Sequence, residues 1–397
     1  MMVYKPETMT IIDTSAALAQ FCRRMSSAPF VTVDTEFMRE NTFWPHLCLV
    51  QVAGPEEAVA IDPLADGIDL APLYALMQDP GVLKVFHAAR QDVEIFFHQS
   101  GAVPAPLFDT QVAAMVCGFG EQAGYETLAV QLAKASIDKS SRFTDWARRP
   151  LTERQVQYAL SDVTHLRVIY DKLSRRLAKS GRESWLGEEM AILNDPKTYA
   201  QAPEDAWRRI RTRTANPRFL GHLKALAAWR EAEAQRRDVP RSRVLRDEAL
   251  LEIASHPPRN AEELARVRGL SRSLAEGRQG GEILAALAAA APLPAADLQQ
   301  VERDAPLPRG LGPLIELMKV LLKMKCEAND VAQKLVASSA DLERIAADDH
   351  ADVPALHGWR REIFGEDALA LKHGQLALAA EGRRIKLVSL DAAAAAD

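Results

Sequence analysis

A chain of 397 residues is too long for one ordinary domain, and roughly two to four are expected. With 48% hydrophobic and 26% charged residues it has a globular profile, neither disordered nor membrane-spanning, and it holds no apolar run of the about 18 residues that a membrane helix needs. A net charge of −5 excludes overall basicity as a route to nucleic acid, so any polyanionic partner must meet local basic patches. Cys22, Cys48, Cys117 and Cys326 are scattered without CxxC pairing, which supports neither a zinc knuckle nor a disulfide framework. The opening MMVYKPETMT lacks the charged and apolar segments of a signal peptide, so a reducing cytoplasm is expected.

In chain order, residues 9–27 read as a turn and a helix capped by Asp13, Thr14 or Ser15. The run 30–38 is β-rich, and a second apolar strand, 47–52, follows a short polar loop, so the two predict a hairpin in a sheet core. A strand's period of two puts Asp34 and Glu36 on one face, where two like charges repel unless a cation sits between them. Residues 58–61 and 83–86 predict further strands, and 70–77 and 88–99 predict helices, the second with Asp92 in its first turn. The segment 107–120 begins as a strand and becomes a helix capped by Asp109 or Thr110. A long helix then starts at the Thr152 cap, and its Tyr158 and Asp162, four apart, share a face. Strands alternating with helices imply an α/β domain.

From 194 to 217 the chain turns polar and basic, as in WRRIRTRTANPR, and reads as a linker. Beyond it the pattern is helical and repeats: DVPRSRVLRDEALLEIA from Asp238 aligns with DVAQKLVASSADLERIA from Asp330, an offset of 92 (330 − 238). Each copy later reaches a turn glycine, Gly269 and Gly358. The tail DAAAAAD should fray.

Asp34, Glu36, Asp92 and Asp162 thus stand on three separate elements, with a tyrosine one turn before the last. Such a set can hold two oxygen-preferring cations about 3.5–4 Å apart, which would clamp the attacking and leaving oxygens of a phosphoryl displacement. All-carboxylate ligation suits Mg²⁺ or Mn²⁺ rather than zinc, and the chemistry implied is phosphodiester hydrolysis.

VDTEF, FHAARQDVEIF and YALSDVTHL match the three motifs of the DEDD exonuclease family, and the chain closely resembles its ribonuclease D branch, as DWARRPLT also indicates. The resemblance implies that Asp34, Glu36, Asp92 and Asp162 are metal ligands and that Tyr158 marks the tyrosine subclass, orienting or helping to deprotonate the attacking water. It implies a ribonuclease H-like mixed-sheet exonuclease domain over 1–193, then two all-α domains of the HRDC type shared with RecQ-type helicases, over 218–292 and 293–390. The function implied is 3′-to-5′ exoribonuclease action releasing nucleoside 5′-monophosphates, with tRNA precursors as substrates and no membrane or obligate protein partner. Two alternatives stand beside it, a 3′-to-5′ DNA exonuclease and an inactive RNA-binding adaptor.

Weaker candidates carry two readings each. His87 and Gln91 either touch the terminal nucleotide or form a structural pair, and Phe37, Met38 and Leu128 either meet the last base or belong to the core. Arg142, Arg148 and Arg149 with Trp146 form either a basic-aromatic RNA contact or a solvated loop. His165 fits helix surface, and Asp109 fits a cap better than a ligand. Arg208, Arg209, Arg211, Arg213, Arg236, Arg237, Arg241 and Arg243 are expected to neutralise phosphates unless nearby glutamates pair with them, and a fragment ending near Gln201 is expected to cleave short RNA.

Overall fold

The computed structural model describes residues 8–390 apart from 122, 142, 143, 213, 215, 296, 297, 299–307 and 309. Arg142, Arg213 and the Ala-rich tail 391–397 therefore lie outside the described residues.

The exonuclease sheet has six strands in the order β1-β4-β3-β2-β5-β6: β1 (Thr8–Ile12), β2 (Phe30–Met38), β3 (His46–Ala53), β4 (Glu57–Ile61), β5 (Leu83–Phe86) and β6 (Leu107–Asp109). β2, β3 and β4 form an antiparallel meander, whereas β1 joins β4, and β5 joins β2 and β6, in parallel. The expected hairpin is therefore the centre of a mixed sheet. Residues 9–12 are corrected from a turn to strand β1, too short for its alternation to stand out and defined only by its remote partner β4. Helix α1 (Ser15–Met25) follows, with Thr14 at its N-cap but without a side-chain capping bond.

Alternation decides which face covers which helix. Val31, Val33, Val50, Val52, Val59 and Ile61 pack towards α1, α2 (Ala71–Gln78) and α3 (Arg90–Ser100) through Leu18, Phe21, Leu73 and Phe96. Leu49, Ala53, Ala58 and Ala60 face Ala159, Leu160 and Val163 of α6 (Glu153–Ser180), the last of the series that includes α4 (Thr110–Val116) and α5 (Tyr125–Leu128). The reciprocal Thr152–Gln155 capping box starts α6 as the sequence predicted. β5 pairs only with Phe30–Thr32 of β2. The rest of β2 runs past it, so Asp34 and Glu36 meet the start of α3 and the face of α6 over an open sheet edge.

The stretch expected as a linker is packed. Its 3-10 segment Pro203–Arg209 delivers Ala206 and Trp207 to the core of the first helical module, beside Leu220, Leu223 and Leu226 of α8 (Pro217–Arg237). The repeat is structural. α9 (Arg241–Val244) and α10 (Asp247–Ser255) recur after α14 (Gly312–Asn329) as α15 (Gln333–Val336) and α16 (Ser339–Ala347), while α11 (Ala261–Leu264), α12 (Arg272–Glu276) and α13 (Arg278–Ala289) complete the first copy. Asp238 and Asp330 both end the first helix of their copy in a left-handed conformation, φ 48° and 51°. Both grip the exonuclease domain. Asp238 accepts from the amides of Phe43 and Trp44, each at 3.0 Å, and Asp330 pairs with Arg176 at 2.5 Å. Gly118 allows the second approach, since a Cβ there would stand 2.0 Å from the Asp330 carboxylate.

The second module is not purely helical as expected. Leu376–Glu381 and Arg384–Ser389 form an antiparallel hairpin turning at Gly382 (φ 62°). The alanines of LALAAE carry a helix bias that pairing with the β-rich RIKLVS overrides.

The second module also shares one continuous apolar core with the exonuclease domain. Ile315, Met318 and Leu321 join Val116 and Cys117 in it, and Trp185 stacks on Trp359 at 4.3 Å and 4°. A fragment ending near Gln201 therefore loses part of its own core. Uncovering two large side chains costs on the order of 3–6 kcal/mol. The fragment should melt more than ~6 °C below the full chain in calorimetry, and an equal Tm would contradict the shared core.

Candidate active site

Asp34, Glu36, Asp92, Tyr158 and Asp162 all line one cleft of about 530 Å³. Carboxylate oxygens of Asp34, Glu36 and Asp162 come within 4.8 Å of one another. Opposed ligands of a Mg²⁺ ion stand about 4 Å apart, so small side-chain rotations would close these three around one cation. Asp92 stands just outside that trio, turned to accept from the Thr35 hydroxyl. A β-bulge directly after Glu36 shifts the β2–β3 register from Glu36↔Leu49 to Phe37↔Leu47, which re-aims the strand end as bulges beside sites do.

Electrostatics make the cluster incomplete without positive charge. Burial pushes the Asp34 carboxyl up to about 7 against the lowering effect of a Thr35 backbone hydrogen bond. Burial, then the Asp34 charge, also raise Asp92 well above the carboxylate range. Hard oxygen donors carrying surplus negative charge fit a divalent cation. Two pH effects follow. Cation binding must displace protons, so affinity should weaken as pH falls below about 7. Without cation, the folded state keeps protons that the unfolded chain has lost between about 4 and 7, so stability should fall as pH rises through that window. Melting curves in chelator across this range check the sign, and a Tm that climbed with pH would contradict it.

Asp109 sits behind the site as a cap. Its oxygens accept from the amides of Ala88 (3.0 Å), Ala89 (2.9 Å) and Gln111 (2.7 Å). Ala88 is left-handed at φ 57°, a strained conformation for a residue with a Cβ, and Asp109 holds this turn where it launches α3 and Asp92.

Of the weaker candidates, Phe37, His87 and Gln91 line the cleft. His87 also bonds the Thr110 hydroxyl at 3.0 Å, and burial lowers its imidazole to about 4, so it is neutral at physiological pH. Leu128 is fully buried and so is not presented for stacking on a base, whereas Met38 is half-buried and packs against the α6 core. His165 is half-buried in α6. Trp146 is corrected from an exposed contact to a buried one, 3% accessible, its ring 6.1 Å from that of Tyr158. Arg149 is equally structural, since its guanidinium clasps Asp62 through two 2.6 Å bonds and donates to the Trp146 and Cys48 carbonyls. Arg148 is exposed.

Tyr125 escaped sequence reading. It lines the cleft, lies edge-on to His87 at 5.5 Å and donates to the carbonyls of Ser161 (3.0 Å) and Asp162 (2.5 Å). It thereby anchors the turn of α6 that carries Asp162. No local pattern in AGYETL announces a contact that far along the chain.

Most of the arginines expected to meet phosphate are already paired. Arg241 bonds Glu231 bidentately at 2.5 and 2.6 Å, Arg236 does so with Glu233, and Arg208, Arg209 and Arg237 lie 3.1–3.9 Å from acids. Arg243 donates to Asn41. Arg211 instead opens, with Arg218, Phe219 and His222, onto a groove of about 820 Å³ in the first module.

Two family models match the chain, one described as 3′-5′ exonuclease over residues 9–178 and one as HRDC domain over 219–287. Ribonuclease D of Granulibacter bethesdensis is 53% identical over 381 residues, covering 96% of both chains. Ribonuclease D of Gluconacetobacter diazotrophicus is also 53% identical, over 95% of this chain and 96% of its own. Among solved structures, Escherichia coli RNase D, described as an exoribonuclease involved in structured RNA processing, superposes with a TM-score of 0.74 at 31% identity, over 92% of this chain and 99% of its own. Half of all positions shared along nearly the whole length, on the same sheet with the same helical region behind it, make this chain a member of the ribonuclease D family, a metal-dependent 3′–5′ exoribonuclease.

Proposed function

We propose that the cleft trims RNA from its 3′ end with two divalent cations, Mg²⁺ or Mn²⁺, and that tRNA precursors are among its substrates. The observation that carries this reading is the trio of carboxylates within 4.8 Å beside the buried Asp92, all facing one cleft. Asp34, Glu36 and Asp162 would hold one cation and Asp92, with Asp34, the other; when bound, the pair polarises the scissile phosphate and makes water a better nucleophile. Tyr158 orients that water through its hydroxyl, its ring held by Trp146. Water attacks the phosphorus of the last phosphodiester and the 3′ oxygen of the preceding nucleotide leaves, which frees a nucleoside 5′-monophosphate. Phe37, His87 and Gln91 hold the terminal nucleotide, the neutral imidazole acting as a hydrogen-bonding group and not as a charge.

In this reading residues 1–193 cleave, 194–217 strap the first helical module to them, and the modules over 218–292 and 293–390 hold RNA. The groove with Arg211, Arg218, Phe219 and His222 is the place for a strand, because it combines open cations with an aromatic face. The involvement of the Escherichia coli relative in structured RNA processing supports folded substrates. The test is degradation of matched RNA and DNA oligomers, alongside a tRNA precursor carrying a 3′ extension. RNA-selective trimming that stops near the mature end is expected, and equal rates on DNA would replace RNA by DNA in this reading.

A further inference from the structure

Gln51 is fully buried in β3, and neither the nitrogen nor the oxygen of its amide has a hydrogen-bond partner. Such orphaned amides are rare because each buried polar atom left unpaired destabilises the fold. In the sheet register Gln51 stands opposite Asp34 on β2 and opposite Ala60 on β4. Directly opposed residues of an antiparallel pair share a face with Cβ atoms about 4.5–5.5 Å apart. The amide therefore lies beside the Asp34 carboxyl, within the reach of a side-chain rotation.

Apart from Glu36, a diagonal neighbour that itself belongs to the acidic cluster, the described neighbours on that face are apolar or already bonded. Leu49 and Ala53 flank it along β3, Ala60 lies to its other side, and Ala159, Leu160 and Val163 of α6 pack over the layer. The diagonal neighbour Thr32 already donates to the Val163 carbonyl at 2.8 Å, and Arg167 is committed to the carbonyls of Phe30 and Ala53. A methionine or leucine would fill the space without the penalty.

We infer that Gln51 is a positioning residue for Asp34, its side-chain N–H donating to the Asp34 carboxylate in the cation-loaded enzyme. The inference rests on the reading of the acidic cluster as a divalent-cation site. Carboxylates that ligate metals are themselves oriented by hydrogen bonds from behind, and losing such a partner weakens metal affinity or activity about 10–100-fold. An amide suits this place because it donates without charge, whereas lysine or arginine would compete with the cation for Asp34.

The test is Gln51→Met, which keeps length and removes both polar atoms. In chelator the variant should melt at or above the parent's temperature, because the unpaired amide is gone. With Mg²⁺ or Mn²⁺ it should show a smaller cation-induced rise in Tm and a half-saturating cation concentration about 10–100-fold higher, with kcat at saturating cation reduced less. The parent's cation-induced Tm rise and half-saturation, retained in the variant, would overturn the inference. Should the variant not fold, a Mn²⁺-bound structure of the parent decides the matter: Gln51 Nε2 within about 3.2 Å of an Asp34 oxygen is expected, and a clear gap there overturns it. A parent whose Tm and activity ignore divalent cations would instead fail the underlying reading of the site.

Discussion

Asp34→Asn should leave the chain folded, raise its melting temperature in chelator and lower kcat by about 10⁴-fold or more, equivalent to roughly 5.5 kcal/mol of transition-state stabilisation. Both halves come from one placement. Asp34 lines the cleft in the oxygen trio with Glu36 and Asp162, and its charge raises Asp92. Its carboxyl is pushed up to about 7 by burial, so ionising it in the cation-free protein is unfavourable. A neutral amide of the same shape removes that repulsion and, with it, the charge that would hold cations. Substantial turnover by Asp34→Asn in Mg²⁺, or a fall of its Tm in chelator, would contradict the assignment.

Tyr158→Phe should reduce kcat by about 10²–10⁴ with KM nearly unchanged, the signature of a group that acts on the water and not on substrate affinity. The substitution is clean because the ring belongs to the wall. It packs in the α6 core with Trp146 behind it, and phenylalanine keeps those contacts while deleting only the hydroxyl. Tyr158 lies one helical turn before Asp162, on the same face of α6. A loss of RNA affinity in proportion to rate would make the tyrosine a binding group, and a KM split measured on short RNA separates the two outcomes.

What the sequence displayed follows from what is local. Asp34 and Glu36 were legible because a period of two in a β-rich run dictates a shared face, and Tyr158 with Asp162 because a spacing of four does the same on a helix. The Thr152 box and the 92-residue repeat were visible for the same reason, each being a pattern along the chain. The rest is set by pairing across the chain. β1 is a strand only because β4 lies beside it, and LALAAE is one only because RIKLVS folds back on it. Arg149 and Arg241 look like RNA contacts in their local sequence, but the remote acids Asp62 and Glu231 hold them. Tyr125 and Gln51 gain their meaning from the Asp162 carbonyl and the Asp34 register, which no window of neighbouring residues contains.

The central claim, that this acidic cleft is a cation-dependent hydrolase of RNA 3′ ends, is tested most directly by following one RNA oligomer labelled at its 5′ end, with free or blocked 3′ terminus, in Mg²⁺ and in chelator. The account predicts a ladder shortening one nucleotide at a time from the free 3′ end, nucleoside 5′-monophosphates as the released product, and no cleavage either of the blocked oligomer or in chelator. Internal cuts, 3′-phosphate products or undiminished cleavage in chelator would contradict it.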